Sequence, residues 1–324
     1  MNILYGIQLN GNGHITRSIE IIRNLIDKSF NVDIVVSGNN YSLELPFKVK
    51  DKFRGLSLYY DTKGKINWMS SIKDARIKQL VKDVKYDVSK YDLVLSDFEP
   101  ITAWSAHLQN KKCINISNQN SLLSNKSPKF KKEFFASTFL KYFAYSKNRI
   151  GLHYKSYDNN IYQPIISNNL QNSNSVDNDF ILVYLPAYDI NLLKSLFRSF
   201  KQVNWMIFSN SVKTNIDFHN ISLRPINFEK FQENLIKCSG VITASGFTTT
   251  SEALVLNKKL WSIPIKGQYE QVCNSKALMD MGIFTKEMTY ENIENWISNY
   301  KPINYQWVNP MESIVNNIVK VYEN

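Results

Sequence analysis

The sequence predicts an α/β fold of two Rossmann-like, doubly wound domains facing each other across a cleft. Three features carry that prediction. Short apolar runs bounded by turn residues alternate with segments of helical period, the pattern of βαβ units around a parallel sheet. The alternation occurs twice, with a polar break between the halves. Finally, 324 residues exceed one ordinary core and suit two domains of common size.

In the first half, apolar runs place strands at 2–7, 32–36, 56–60, 93–95 and 113–116, with a last one near 150–153. Helical periodicity places helices near 15–27, 72–84 and 102–109. Residues 167–175, SNNLQNSNS, are too poor in apolar groups to pack and read as a linker. The second half places strands at 180–185, 205–208, 221–224, 240–243 and 260–263. Its helices are expected near 190–200, 228–237, 249–256, 269–281 and 290–300. The expected domains are 1–163 and 164–308, with a final helix at 309–324 packing back on the first.

Composition excludes several classes. A hydrophobic content of 44% with 13% aromatics is too high for a disordered polymer, and 11 glycines and 9 prolines are too few for a fibrous repeat. No apolar run is long enough to cross a bilayer, and the first residues enter a strand directly, so the expectation is a cytoplasmic protein. Cys113, Cys238 and Cys273 lie far apart without a CxxC, which supports neither a disulfide framework nor zinc.

The net charge of +11 is uneven. From Lys126 to Arg149 there are seven bases against one acid, Glu133, interleaved with Phe130, Phe134, Phe135, Phe139, Tyr142, Phe143 and Tyr145. No nucleic-acid recognition motif accompanies this charge, so nucleic acid is not the expected partner. Residues 127–149 read instead as one or two amphipathic helices. Phe134, Phe135, Phe139, Tyr142 and Phe143 form one apolar face, ringed by Lys131, Lys132, Lys141 and Lys147. Such a segment either docks on an anionic membrane surface or packs its aromatics on the domain.

In doubly wound folds ligands bind at the loops after the strands. After the first strand stands Asn10-Gly11-Asn12-Gly13-His14, where two glycines allow a tight turn into a helix that begins near Ile15. His14 is either a capping or core-satisfied imidazole or a general base. Asp97 and Glu99 follow the fourth strand, as helix caps or as functional carboxylates. Asn118, Gln119 and Asn120 follow the fifth and suit hydroxyl binding. In the second half, Ala244-Ser245-Gly246-Phe247-Thr248-Thr249 leads into a helix carrying Glu252. Its free N–H groups suit a diphosphate. Glu270, Gln271 and Asn274 share one face of a later helix start. Asp177-Asn178-Asp179 matches a metal-holding DxD tripeptide, but it precedes a strand rather than following one, and no metal is expected.

The run Ser-Gly-x(5)-Glu-Ala-Leu, then Pro, then Glu-Gln-x-x-Asn, resembles the donor half of GT-B glycosyltransferases. The likeness is to the group that includes the lipid II N-acetylglucosaminyltransferase and its prokaryotic relatives, in which Gly-x-Gly-His-x-x-Arg, here Gly11 to Arg17, and Ser-Asp-Phe-Glu-Pro, here Ser96 to Pro100, also occur. Two departures stand out. Leu185-Pro186-Ala187-Tyr188 replaces a Gly-rich turn, and Glu270-Gln271 replaces two amides.

The resemblance implies an inverting, metal-independent transfer from a nucleoside diphosphate sugar, with UDP favoured, and no cofactor. It implies that Glu252 binds ribose, that Gly246, Phe247, Thr248 and Thr249 hold the diphosphate, and that Glu270, Gln271 and Asn274 hold the sugar. The backbone near Phe228 would meet the base. The first domain would take the acceptor, a hydroxyl compound that is lipid-linked or part of a cell-envelope glycan, through Asn12, Gly13, Glu99, Asn118 and Gln119. His14 would be the base, with Asp97 as the fallback. The rival expectations are a sugar-nucleotide 2-epimerase and a non-catalytic sugar-nucleotide-binding scaffold.

Overall fold

The computed structural model describes residues 1–40, 45–55, 77–130 and 133–323. They form two units, residues 1–167 with 308–324, and residues 168–307.

In the first unit, β1 (Asn2–Asn10), β2 (Asn31–Asn40), β3 (Val49–Phe53), β4 (Leu93–Asp97), β5 (Cys113–Ser117), β6 (Asn148–Leu152) and β7 (Ile161–Tyr162) make one sheet. All its pairings are parallel and the order is β3-β2-β1-β4-β5-β6-β7. The order reverses between β1 and β4, so the ends of these two strands form the crevice in which such folds hold ligands. The helices are α1 (Asn12–Asp27), α2 (Ile77–Asp83), α3 (Pro100–Leu108), α4 (Asn118–Ser121) and α5 (Phe134–Phe143). In β4 and β5 every residue is buried, as a parallel sheet covered on both faces requires.

In the second unit a one-turn α6 (Asn168–Gln171) precedes β8 (Asn178–Tyr184), α7 (Ile190–Arg198), β9 (Trp205–Ser209), β10 (Ile216–Phe218) and β11 (Ile221–Pro225). Then follow α8 (Phe228–Lys237), β12 (Cys238–Ala244), α9 (Phe247–Val255), β13 (Lys259–Ile263), α10 (Tyr269–Asp280) and α11 (Tyr290–Asn299). The sheet order is β10-β11-β9-β8-β12-β13, parallel except for the β10–β11 pair. Here the order reverses between β8 and β12. Trp205, Trp261, Trp296 and Phe197 fill its core, with Phe197 and Trp205 stacked at 4.2 Å. The last helix, α12 (Met311–Glu323), belongs to the first unit, where it buries Ile314, Val315 and Ile318 and touches α1.

Several expectations change. The strand at 56–60 lies outside the described residues, as do 72–76 of the second helix and Lys131 and Lys132. The strand beside β2 is β3, whose sequence VKDKF reads as a loop because an edge strand tolerates charge. Residues 167–175 do pack in part: α6 buries Leu170, since one apolar side chain suffices to seat a single turn.

The aromatics of α5 do not share one face. Phe143 is buried and Phe139 and Leu140 pack beside it, whereas Phe134 and Phe135 are 76% and 84% exposed and Tyr142 also points outward. At about 100° per residue, Phe134, Phe135 and Tyr142 fall on one side of the helix and Phe139, Leu140 and Phe143 on the adjoining side. Phe143 stacks on Phe98, the residue after Asp97, at 4.8 Å.

Candidate active site

The loop after β1 turns at Gly11, whose φ of 102° is natural only to glycine. Helix α1 therefore opens at Asn12, earlier than the sequence suggests, and His14 lies in its first turn. Arg17 and Ser18 stand one turn further along, on the same side of the helix. All three meet Asp97 at the end of β4. His14 Nδ1 is 2.7 Å from Asp97 Oδ1, and Arg17 donates from Nε to Oδ2 at 2.7 Å and from Nη2 to Oδ1. The Ser18 hydroxyl lies 3.0 Å from Oδ2. Arg17 Nη1 donates to Asn118 Oδ1 at 3.1 Å.

Asp97 is wholly buried, while the His14 side chain keeps 11% of its surface exposed. The ring is thus the part of the pair that a substrate can touch. Burial alone would push the Asp97 carboxyl up, but the Arg17 guanidinium and then the His14 ring, through both electrostatics and hydrogen bonds, hold it below the usual carboxylate range.

This geometry corrects three assignments in the first unit. Asp97 cannot serve as a base toward substrate, because it has no accessible surface and both oxygens are bound. Glu99 is not an acceptor grip. It is the N-cap of α3, accepting from the N–H groups of Ile101 and Thr102 at 2.8 and 2.7 Å and from the hydroxyls of Thr102 and Ser37. Gly6 makes room for it, since a Cβ there would stand 2.7 Å from Glu99 Oε2. Asn118 holds Arg17 and so supports the site from behind. Asn12 and Gly13 are half-buried in the first turn of α1, and Gln119 is buried in α4.

In the second unit α9 opens at Phe247 with Gly246 as its N-cap, two residues earlier than expected. Among the described residues nothing stands within 4 Å of where a Cβ on Gly246 would be, so this helix start is not filled by them. Thr248 and Thr249 are half-buried in that turn. Glu252 is not exposed at the junction, as its sequence position suggests, but only 3% exposed beneath it. Its Oε1 accepts from Gln232 Nε2, on α8, at 3.3 Å. Burial, weakly opposed by that bond, pushes the Glu252 carboxyl from 4.5 up to about 7.

Two expected sugar grips are occupied. The Asn274 amide donates to Ser245 O at 3.0 Å, and Gln271 accepts from Ile265 N–H and donates to Gln268 at 2.6 Å. Both shape the loops around β12 and β13. Glu270 is half-buried in the first turn of α10, and Phe228 is half-buried in the first turn of α8, behind its N-cap Asn227. Asp177 of the DxD tripeptide pairs with the buried Lys258 at 3.0 Å.

A model of glycosyl transferase family 1 matches residues 1–300. The chain belongs to that family. No curated protein matches it by sequence. Among solved structures, the glycosyltransferase SnogD from Streptomyces nogalater is 13% identical, with 100% of this chain and 95% of that one covered and a TM-score of 0.55. UGT89C1 of Arabidopsis thaliana, in complex with UDP, is 11% identical over 99% and 93% of the two chains, with a TM-score of 0.60. SsfS6 from Streptomyces sp. SF2575 is 12% identical over 100% and 95%, with a TM-score of 0.56. The protein is a glycosyltransferase of the GT-B fold, built from two domains with parallel sheets.

Arg17 of this glycosyltransferase has a place in the site that its motif alone does not reveal. The available signal is its position three residues after His14, because i and i+3 are neighbours on a helix. No sequence signal pairs Gln232 with Glu252, which lie twenty residues apart on different helices.

Proposed function

We propose that this glycosyltransferase moves a hexosyl or N-acetylhexosaminyl group from a nucleoside diphosphate sugar to an acceptor hydroxyl, with inversion and without a metal ion. The observation that carries the reading is the His14–Asp97 pair, in which a fully buried carboxylate orients an accessible ring. His14 takes the proton of the acceptor hydroxyl, and the oxygen attacks the anomeric carbon from the face opposite the leaving diphosphate. The N–H groups at the start of α9 and the helix dipole meet the charge that develops on that diphosphate. The first unit with its returning helix supplies the activated hydroxyl and the second supplies the donor. UDP is the favoured nucleotide, in keeping with the UDP held by the Arabidopsis relative of the same fold. We assign the ribose diol to Glu252, because its hydroxyls would satisfy a carboxyl that accepts one long bond from Gln232.

The acceptor side fits a lipid-linked substrate, as the resemblance to the lipid II transferase group implies. Phe134, Phe135 and Tyr142 face outward from α5 beside the exposed Lys141, and Phe143 of α5 stacks on Phe98, the residue after Asp97. That face suits an anionic membrane surface, on which the enzyme would work as a peripheral protein of the cytoplasmic side.

A panel of nucleoside diphosphate sugars scored by thermal stabilisation identifies the donor, since a ligand at a hundred times its dissociation constant adds about 2.7 kcal/mol. With that donor, His14→Ala is expected to lower kcat by on the order of 10²–10⁴-fold. Turnover should persist in EDTA. Undiminished kcat in the variant, or loss of turnover in EDTA with recovery on adding manganese, would overturn the mechanism. Interconversion of donor sugars with no acceptor present would favour the epimerase.

A further inference from the structure

Two buried groups compete for one atom of His14. Nδ1 lies 2.7 Å from Asp97 Oδ1 and 2.6 Å from Arg17 Nη2. A guanidinium only donates and an ionised carboxylate only accepts, so one ring proton cannot satisfy both contacts. With the proton on Nδ1, the ring donates to Asp97 and keeps its lone pair on Nε2. With the proton on Nε2, the ring accepts from Arg17 and has no base left to offer.

The other contacts favour the first arrangement. Arg17 already has acceptors in both oxygens of Asp97 and in Asn118 Oδ1, and does not need the ring. Asp97 Oδ1, by contrast, would face a lone pair at 2.7 Å if Nδ1 carried no proton. Among the described residues, the groups that face the ring are Arg17 from α1, Asp97 from the end of β4 and, through Arg17, the neutral Asn118 of α4. Glu99 turns its oxygens into α3 and Ser37, and the Tyr5 hydroxyl of β1 accepts from Ser18 at 3.2 Å.

A carboxylate buried beside an imidazole and nothing else would draw a second proton onto the ring, because an unpaired charge away from water is costly. An imidazolium is no base. Arg17 removes that demand by bringing a permanent positive charge in a planar fork.

We propose that Arg17 is the counter-ion of Asp97 and, through it, a positioning residue for His14, keeping the ring neutral with its proton on Nδ1 and its lone pair on Nε2. The consequence for catalysis rests on the transferase reading above, but the assignment itself can be tested without a substrate.

Nitrogen NMR of the full chain labelled in its histidine rings, with the His14 signals assigned by their loss in His14→Gln, reads the proton positions directly. At neutral pH the wild-type ring should be neutral and protonated at Nδ1. Arg17→Met should place protons on both nitrogens, whereas Arg17→Lys, which keeps the charge, should leave the ring neutral. Arg17→Met combined with Asp97→Asn removes both charges and should return a neutral ring. Simple misfolding would not be reversed by a second substitution. A wild-type ring protonated at Nε2 or at both nitrogens, or an unchanged ring in Arg17→Met, would overturn the proposal. In turnover of UDP-N-acetylglucosamine, Arg17→Met should lower kcat with little change in KM. If His14→Gln turns over as fast as wild type while the spectra behave as expected, the transferase role of His14 fails and the Arg17 assignment stands.

Discussion

Each unit buries a carboxylate beneath the loops at its sheet's reversal point, and the two are treated in opposite ways. Asp97 receives hydrogen bonds from a guanidinium, an imidazole and a hydroxyl, and stays below the usual carboxylate range. Glu252, almost as deeply buried, has one long bond from a neutral amide and is pushed up to about 7. Burial disfavours charge in both places, and only a compensating cation reverses the result. The first carboxylate is finished and serves to hold a neighbour. The second, among the described residues, accepts one bond from Gln232.

Four experiments break or sharpen this contrast. The largest effect is expected from Asp97→Asn, which leaves Arg17 buried without its counter-charge. Loss of one partner from a buried ion pair costs about 3–5 kcal/mol, so denaturant unfolding should show a loss of that order. A loss below about 1 kcal/mol would mean that water already reaches the pair.

Glu252 gives the next effect, with a definite sign. Its folded-state value lies above the ordinary 4.5, so its contribution is fully present below about pH 4.5 and is lost as pH rises through about 7. Each tenfold change in the proton equilibrium is worth about 1.4 kcal/mol, which caps the loss at about 3–4 kcal/mol. Glu252→Gln should therefore be more stable than wild type near pH 8 and about equal near pH 4. Unfolding curves that show the same pH slope in both proteins would remove Glu252 from the comparison. Saturating UDP should flatten the wild-type slope if the ribose satisfies the carboxyl.

Glu99 is a third buried carboxylate, completed by a helix N-terminus rather than by a cation. Gly6→Ala would press a methyl against it and against Thr102, and overpacking of this kind costs about 1–3 kcal/mol. An unchanged melting point would show that the α3 cap can shift without loss.

The smallest effect concerns the outward face of α5. Each base near an anionic bilayer contributes on the order of 1 kcal/mol, weakened by salt. Sedimentation with vesicles should therefore require anionic lipid and low salt. Phe134→Ser with Phe135→Ser should weaken it, whereas equal recovery on neutral vesicles would remove the membrane reading.

The sequence alone determined the alternation of strands and helices in both units and the placing of chemistry in the loops after β1, β4 and β12. Both follow from short-range information: apolar periodicity is written in neighbouring residues, and glycine and capping residues mark the turns. It also placed Asp97 at a strand end, and His14 and Glu252 near the starts of the helices that follow strands. What each does was decided only by tertiary structure. Arg17 and Asp97 lie eighty residues apart, and Glu252 and Gln232 sit on separate helices, so pairing and burial arise only when the sheets assemble. The same holds for Glu99, Gln271 and Asn274, whose polar side chains look available in sequence but are used by backbone groups that the fold brings to them. An exposed-looking carboxylate, a cap and a base differ in their neighbours, and in a folded chain those neighbours come from distant segments.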